Sequence, residues 1–429
     1  MPIQLNQEIE IPIHRLGVSG EGVGDFKGFT IFVDGALPGE IILGIVTEVR
    51  KNFGRAKILE IKKTSPHRVD PICPLFGRCG GCQIMHLEYG KQLVAKRQRI
   101  VDALERIGKL DVEVNPCHPS PMPLAYRNKI QLPVEDGKIG LYTKGSHDVI
   151  DVEKCYIHCS LGEKVYEWIR GFPEVQKFQH LLIRTAVKTS EVLLVFVTEE
   201  AFIPKEIPPE VKGIVQCINR SKSNRILGQE FRTLWGRDWI KEILHGLQFR
   251  ISAASFFQIN PFQAENLYSQ VIDFAELSGN EIVLDSYCGV GTLALILAKG
   301  AKKVIGVESV PEAIEDAKAN AKLNKIENVE FFCERAEEFI PTLARVDVAI
   351  VNPPRKGCER NFLEALAKIR PKIIVYVSCD PATMARDVRF LVSEGYLISG
   401  VQPFDMFPQT SHVECVVQLK WKKNYMARG

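Results

Sequence analysis

The sequence predicts an α/β protein in three parts: an N-terminal OB-like β-barrel, a central α+β segment and a C-terminal Rossmann-like, doubly wound parallel sheet. Three observations carry that division. The first 65 residues are short period-two hydrophobic runs broken by glycines, the stretch SPHRVDPICPLFGRCGGCQ opens the next segment with prolines and cysteines, and from about residue 251 strand and helix patterns alternate strictly.

Within residues 1–65, the runs TIFVD, EIILGIVTEV and AKILEI lie between glycine-rich turns. Closing such strands into a barrel removes exposed sheet edges. Charge is balanced here, eight basic against eight acidic residues, so the barrel alone makes no strong electrostatic case for nucleic acid. In residues 66–250, Leu93, Ile100, Leu104 and Ile107 set the apolar face of a helix, and YRNKIQLPV, KIGLYT and EVLLVFVT read as strands. In residues 251–429, EIVLD, KVIGVE, VDVAIVN and KIIVYVSC are strands separated by the helices LALILAKG, PEAIEDAKANAKLNK and CERNFLEALAKI. Parallel strands with right-handed crossovers follow, and ligands in such sheets bind at the carboxyl ends of the strands.

Of the 429 residues, 45% are apolar and 25% charged, the composition of a soluble globular protein. No run of about 18 apolar residues occurs, and the start, MPIQLNQEIEIPI, lacks a basic stretch followed by an apolar core. Neither membrane span nor signal peptide is expected, the expected location is cytoplasmic, and the expected state is a monomer. In that compartment twelve cysteines argue against a disulfide framework and for metal binding or catalysis at a subset. The net charge of +3 is small but uneven: KQLVAKRQRIVDALERIGK (91–109) holds six Lys/Arg against two acids, and NRSKSNRILGQEFR (219–232) and the tail LKWKKNYMARG are basic.

VLDSYCGVGTLALILA places Asp285, Gly289 and Gly291 between a strand and a helix, and Glu308 closes the next strand. Glycines let the backbone approach a cofactor, and an acid at the second strand end suits a ribose. Thr292 and Leu293 stand where a dinucleotide fingerprint has its third glycine, which disfavours a pyrophosphate-bearing cofactor. The stretch resembles the S-adenosylmethionine loop of class I methyltransferases. VNPPRKG, ending the fourth strand, resembles their motif-IV loop, with Asn352 facing cofactor and target. Enzymes that methylate exocyclic amines carry an aromatic residue after the prolines. Here Arg355 follows, which points away from amine chemistry.

Cys379 ends the strand KIIVYVSC, at the mouth of that site and at the start of a helix. Carbon 5 of uracil becomes nucleophilic only after something adds to carbon 6, and a thiolate both adds readily and leaves again. The helix dipole and Arg386 are expected to favour the thiolate. A base must then remove the carbon-5 proton. FPQTSHVECVVQL offers Glu414, with His412 nearby, and partial desolvation brings a carboxyl pKa toward neutrality.

Taken together, DSYCGVG, NPPRKG, YVSCDPATMARD and MFPQTSHVE, in this order and spacing, resemble the RNA uracil-5-methyltransferase family over the whole chain, and the first segment resembles its RNA-binding TRAM barrel. The resemblance implies S-adenosylmethionine as cofactor, Cys379 as nucleophile, Glu414 as base, and cofactor contacts at Gln258, Tyr287, Glu308 and Asn352, the last usually aspartate in the family. Cys73, Cys79 and Cys82 are spaced C-x5-C-x2-C, with Cys155 after 72 further residues. Only one tight pair argues against a zinc ribbon, although zinc stays an alternative. One remote thiol suits a closed [4Fe-4S] cluster. The resemblance places its ligands on those four cysteines, with Cys159 the rival fourth. A buried ring carbon must be unstacked to react. Phe256 or Phe257 is therefore a candidate stacking partner, and Arg127 and Lys129 candidate phosphate contacts. Barrel and cluster together resemble enzymes of 23S rRNA. A tRNA T-loop uridine is the alternative substrate, and a non-catalytic RNA-binding assembly factor the alternative function.

Overall fold

The computed structural model describes residues 2–221 and 226–422, so part of the basic 219–232 stretch and most of the basic tail lie outside the described residues. Five strands, Glu8–Leu16, Gly22–Phe26, Phe29–Val33, Ile41–Val49 and Phe53–Lys63, form a closed barrel, sealed where the first pairs with the fourth. Alternation in EIEIPI turns Ile9, Ile11 and Ile13 inward against Ile31, Val33, Ile42 and Val46.

The central sheet has seven strands in the order Glu230–Gly236, Val211–Ile218, Glu191–Val197, His180–Ala186, Lys129–Glu135, Lys138–Tyr142 and Val149–Asp151. Every residue of the strand EVLLVFV is buried. One of its faces packs on the helix Ser160–Arg170. Leu193, Val195 and Val197 on the other share a core with Val283 and Val416 of the C-terminal sheet and Leu295 of the helix Thr292–Ala298. Centre and C-terminal part therefore share one core, while the helix side of the central sheet buries its own.

The C-terminal sheet runs Val329–Cys333, Lys303–Glu308, Ile282–Asp285, Val348–Val351, Ile373–Ser378, Glu414–Trp421, Tyr396–Phe404. The first five are parallel and the last two antiparallel to their neighbours. The sequence pattern does not single out Val329–Cys333 or Tyr396–Phe404. The first is a half-exposed edge strand, and the second carries Gly400, Pro403 and a register shift at Ile398/Gly400.

The basic helix expected near 91–109 is Tyr89–Ala103, followed by a π-turn at Leu104–Gly108 that leaves Ile107 exposed. Three charges of that stretch, Lys96, Arg97 and Arg99, are turned inward, while Lys91, Arg106 and Lys109 stay exposed. Lys96 is fully buried in an ion pair with Asp405 and donates to the Phe407 carbonyl at 3.0 Å, while Arg97 and Arg99 donate to the carbonyls of Val114 and Ser411 at 2.9 and 2.6 Å. Among the described residues no helix is long and apolar enough to cross a membrane.

Candidate active site

Cys379 leaves the sheet at the carboxyl end of the wholly buried strand Ile373–Ser378. The next residue, Asp380, caps the helix Pro381–Ser393, its carboxylate accepting from the N–H groups of Ala382 and Thr383 at 3.0 and 2.9 Å. The antiparallel partner strand pairs Cys415 with Ser378, so one register step further Glu414 comes opposite Cys379. Chain ends 35 residues apart in sequence thus meet by strand pairing alone.

Glu414 is 6% exposed, and burial pushes its carboxyl up to about 8 against the opposing pull of the Arg355 guanidinium. Cys379 is half-buried. Desolvation and the Glu414 charge raise its thiol above the ordinary value, and Arg355 lowers it. Arg355 is therefore the cation beside the sulfur. Arg386, the expected partner, is turned away: it pairs with Asp387 at 2.7 Å and donates to the carbonyls of Lys356 and Cys358 at 3.1 and 3.2 Å. The sequence signal for Arg355 was its place two residues past Pro353 at a strand end, where a short loop returns toward the neighbouring strand. Arg99 and His412 complete the rim. Burial, with Arg355, Arg99 and Lys96 around it, pushes His412 down to about 4, so it is neutral at physiological pH.

The glycine loop leaves the strand Ile282–Asp285 and enters the helix Thr292–Ala298. Gly289 and Gly291 adopt φ of 54° and 80°. A Cβ on Gly291 would sit 2.9 Å from the Phe331 ring, whereas one on Gly289 would meet only open space. Asp285 is fully buried, and neither carboxylate oxygen has a hydrogen-bond partner; the amides of Ala294 and Tyr287 approach without reaching bonding geometry. Burial pushes its carboxyl up to about 7, the Ala294 amide opposing and the Glu308 charge adding to the rise. An orphaned buried carboxylate beside open loop space is a site shaped for a polar ligand. Glu308 ends the adjacent strand, its Oε1 accepting from the N–H groups of Ser309 and Val310 at 2.7 and 3.0 Å. Tyr287 donates to Glu337 at 3.3 Å and packs on Phe362. Asn352 lies half-buried one residue past Val348–Val351. Gln258 is buried, with its carbonyl accepting from Asn128 at 3.0 Å and its side chain beside the Tyr268 hydroxyl. Tyr268 also senses Asp285 and Glu414, which puts the glycine loop and the buried Glu414 on one wall.

Of the two phenylalanines beside Gln258, Phe256 is 69% exposed, while Phe257 is buried against Phe249 at 6.2 Å between ring centroids. Arg127 and Lys129 are half-buried. Arg127 Nε donates to the Lys129 carbonyl at 2.7 Å, and burial with Arg184 and Arg127 nearby pushes the Lys129 ammonium down to about 7.

Cys73, Cys79, Cys82 and Cys155 line one cavity of about 240 Å³ together with Arg127, and Cys159 is not among its walls. Burial and the other three thiols push Cys82 up, and burial pushes Cys155 up to about 11. Among the described residues no group of three or more His, Cys, Asp or Glu stands in a metal-holding arrangement. The expected iron-sulfur centre is thus not seen as a preformed ligand set.

Comparison with known proteins agrees with this geometry. Residues 212–422 match the model of the tRNA (uracil-5-)-methyltransferase family and residues 2–59 that of the TRAM domain. The chain is 44% identical to an uncharacterized RNA methyltransferase of Clostridium acetobutylicum and 43% identical to one of Listeria innocua, each match covering 98% of this chain and 98% and 99% of the relative. The crystal structure of Pyrococcus abyssi tRNA (uracil-54, C5)-methyltransferase in complex with S-adenosyl-L-homocysteine superposes with a TM-score of 0.78 at 31% identity, covering 96% of this chain and all of that one. With the family model, a full-length sequence match and a superposing structure all in agreement, the chain belongs to the RNA uracil-5-methyltransferase family.

Proposed function

We propose that this enzyme methylates carbon 5 of a uridine in 23S rRNA with S-adenosylmethionine as methyl donor. The observation that carries the mechanism is the placement of Cys379 opposite Glu414 with Arg355 acting on both. The Cys379 thiolate adds to carbon 6 and the ring electrons move toward carbon 5. Carbon 5 takes the methyl group, Glu414 accepts the carbon-5 proton, and the returning electrons expel the thiolate. The cofactor supplies an electrophilic methyl on a positively charged sulfur. Asp285, Glu308 and the Gly289–Gly291 turn would hold it, with Gln258, Tyr287 and Asn352 closing around it. Phe256, exposed beside Gln258, is suited to stack on the unstacked base. Arg127 and Lys129 are proposed to act from the wall of the central segment on RNA phosphates.

Cys73, Cys79, Cys82 and Cys155 would hold a [4Fe-4S] cluster that orders the central segment, supported by their shared cavity. Barrel plus cysteine set supports the ribosomal reading. A transfer-RNA uridine is the second reading, favoured by the full-length likeness to the Pyrococcus enzyme. RNA carrying 5-fluorouridine tests the chemistry, because fluorine cannot leave as a proton: with the cofactor present, a covalent protein–RNA adduct through Cys379 is expected. Absence of the adduct refutes the covalent route. Mapping 5-methyluridine in ribosomal and transfer RNA from cells lacking the protein decides between substrates.

A further inference from the structure

The loop that carries Asn352 and Arg355 has no sheet partner, yet the Arg355 guanidinium must sit on a sulfur that belongs to another strand. What holds it is the helix that begins beside Cys379. Asp387, fully buried on that helix, accepts from the Cys358 amide at 2.8 Å and from the Tyr376 hydroxyl at 2.6 Å on one carboxylate oxygen, and from Arg386 Nε at 2.8 Å on the other. Arg386 passes the grip on to the carbonyls of Lys356 and Cys358, and Thr383 on the same helix donates to the Arg355 carbonyl at 3.1 Å. Gly357, at φ 73°, admits this approach, since a Cβ there would lie 2.6 Å from both Arg386 Nη2 and Asp387 Oδ2.

We propose that Asp387 is a positioning residue: through the Cys358 amide, Tyr376 and Arg386 it locks the 352–358 loop onto the helix starting beside Cys379 and so keeps the Arg355 guanidinium on the nucleophile. Nucleophile and cation share one helix as their common reference, which a loop held by its own backbone cannot provide. A buried carboxylate bound by three donors is also costly to leave in the core without a task. The inference rests on the reading of Cys379 as nucleophile. Facing that sulfur are Glu414 from the partner strand and Arg355 from the loop, with Asp380 next in the chain and Arg99 and His412 at the rim. Of these only Arg355 depends on Asp387 for its place.

The test is the rate of covalent trapping on 5-fluorouridine RNA as a function of pH for the wild type, Asp387→Asn and Thr383→Val, with cofactor affinity measured by calorimetry. Asparagine keeps the shape of residue 387 and cannot accept from all three donors. With the guanidinium displaced, thiolate is lost, and the acid-side limb of the profile moves to higher pH by about one unit. That is a roughly tenfold slower trapping at neutral pH, converging with the wild type in alkali. Thr383→Val shifts the limb the same way by less. Asn352, a proposed cofactor contact, rides on the same loop, so trapping is read at saturating cofactor, with the affinity from calorimetry setting that concentration. An unmoved limb in both variants, or a rate reduced by one factor at every pH, overturns the proposal. If Asp387→Asn does not fold, an unmoved limb in Thr383→Val alone overturns it. A wild type that forms no adduct removes the nucleophile reading itself, a result separate from any difference between variants.

Discussion

Glu414 lies opposite Cys379 one step beyond the last strand pair, Ser378 with Cys415, and feels the same Arg355 guanidinium. Acid and thiol therefore share one counter-charge, and the two halves of the reaction are separable by mutation. Glu414→Gln leaves addition to carbon 6 and methyl transfer in place but removes the proton acceptor. On ordinary uridine RNA the variant should accumulate a covalent adduct, visible on a denaturing gel, with turnover reduced about 10²- to 10⁴-fold. A variant that turns over normally, or one that never forms the adduct, contradicts the assignment.

The same carboxyl makes a stability prediction with a definite sign. Its folded value near 8 stands above the unfolded value near 4.3, so its favourable contribution is full below about 4.3 and lost as pH rises through about 8. At pH 8 the wild type must ionise a buried group or hold a proton that water would take. Glu414→Gln avoids this, and its melting temperature should exceed that of the wild type at pH 8, by a stabilisation on the order of 1–3 kcal/mol, with the gap narrowing toward pH 5. Thermal melts across that range check it.

Phe256 and Phe257 separate binding from folding. Phe256→Ala removes an exposed ring and should weaken binding of a single-stranded RNA by about 1–3 kcal/mol without moving the melting temperature. Phe257→Ala empties part of the shared core and should cost about 3–5 kcal/mol of stability. Filter binding and thermal melts on both variants distinguish the roles, and the reverse pattern would reassign them.

The cysteines are tested by spectroscopy on protein purified without oxygen. A cluster on the four cavity thiols predicts broad absorbance near 400 nm and roughly four iron and four sulfide per chain. Cys155→Ala should lose that signal, and Cys159→Ala should keep it, because Cys159 is buried at the cap of Ser160–Arg170 and outside the cavity. Zinc in place of iron would revive the mononuclear alternative.

What the sequence made legible was local. The strand and helix runs around Asp285, Glu308 and Cys379 declare themselves by hydrophobic alternation, and the loop glycines by their spacing. Charge partners were not legible. Arg386 stands nearer to Cys379 in sequence than Arg355, yet seven residues of helix carry it about 10 Å along the axis, two turns from the helix start, while a loop after the neighbouring parallel strand ends beside the sulfur. Nor does composition reveal which lysines of a basic run are buried. Lys96 reads as surface because its partner, Asp405, lies 309 residues away.

That pair yields the last prediction. Lys96 and Asp405 are both fully buried, Asp405 keeps one oxygen without a partner, and the surrounding contacts are specific: Gln92 with Gln409, Tyr126 with the Pro408 carbonyl, and Arg99 with the Ser411 carbonyl. The helix Tyr89–Ala103 thereby grips the 405–412 connection between the two strands that end at Phe404 and start at Glu414. Lys96→Met leaves an uncompensated buried carboxylate and should destabilise by about 3–5 kcal/mol. Replacing both partners, Lys96→Met with Asp405→Leu, removes the stranded charge and should recover most of that loss. Chemical denaturation of the two variants measures the difference, and a double variant no more stable than Lys96→Met would show that the grip depends on the charges themselves.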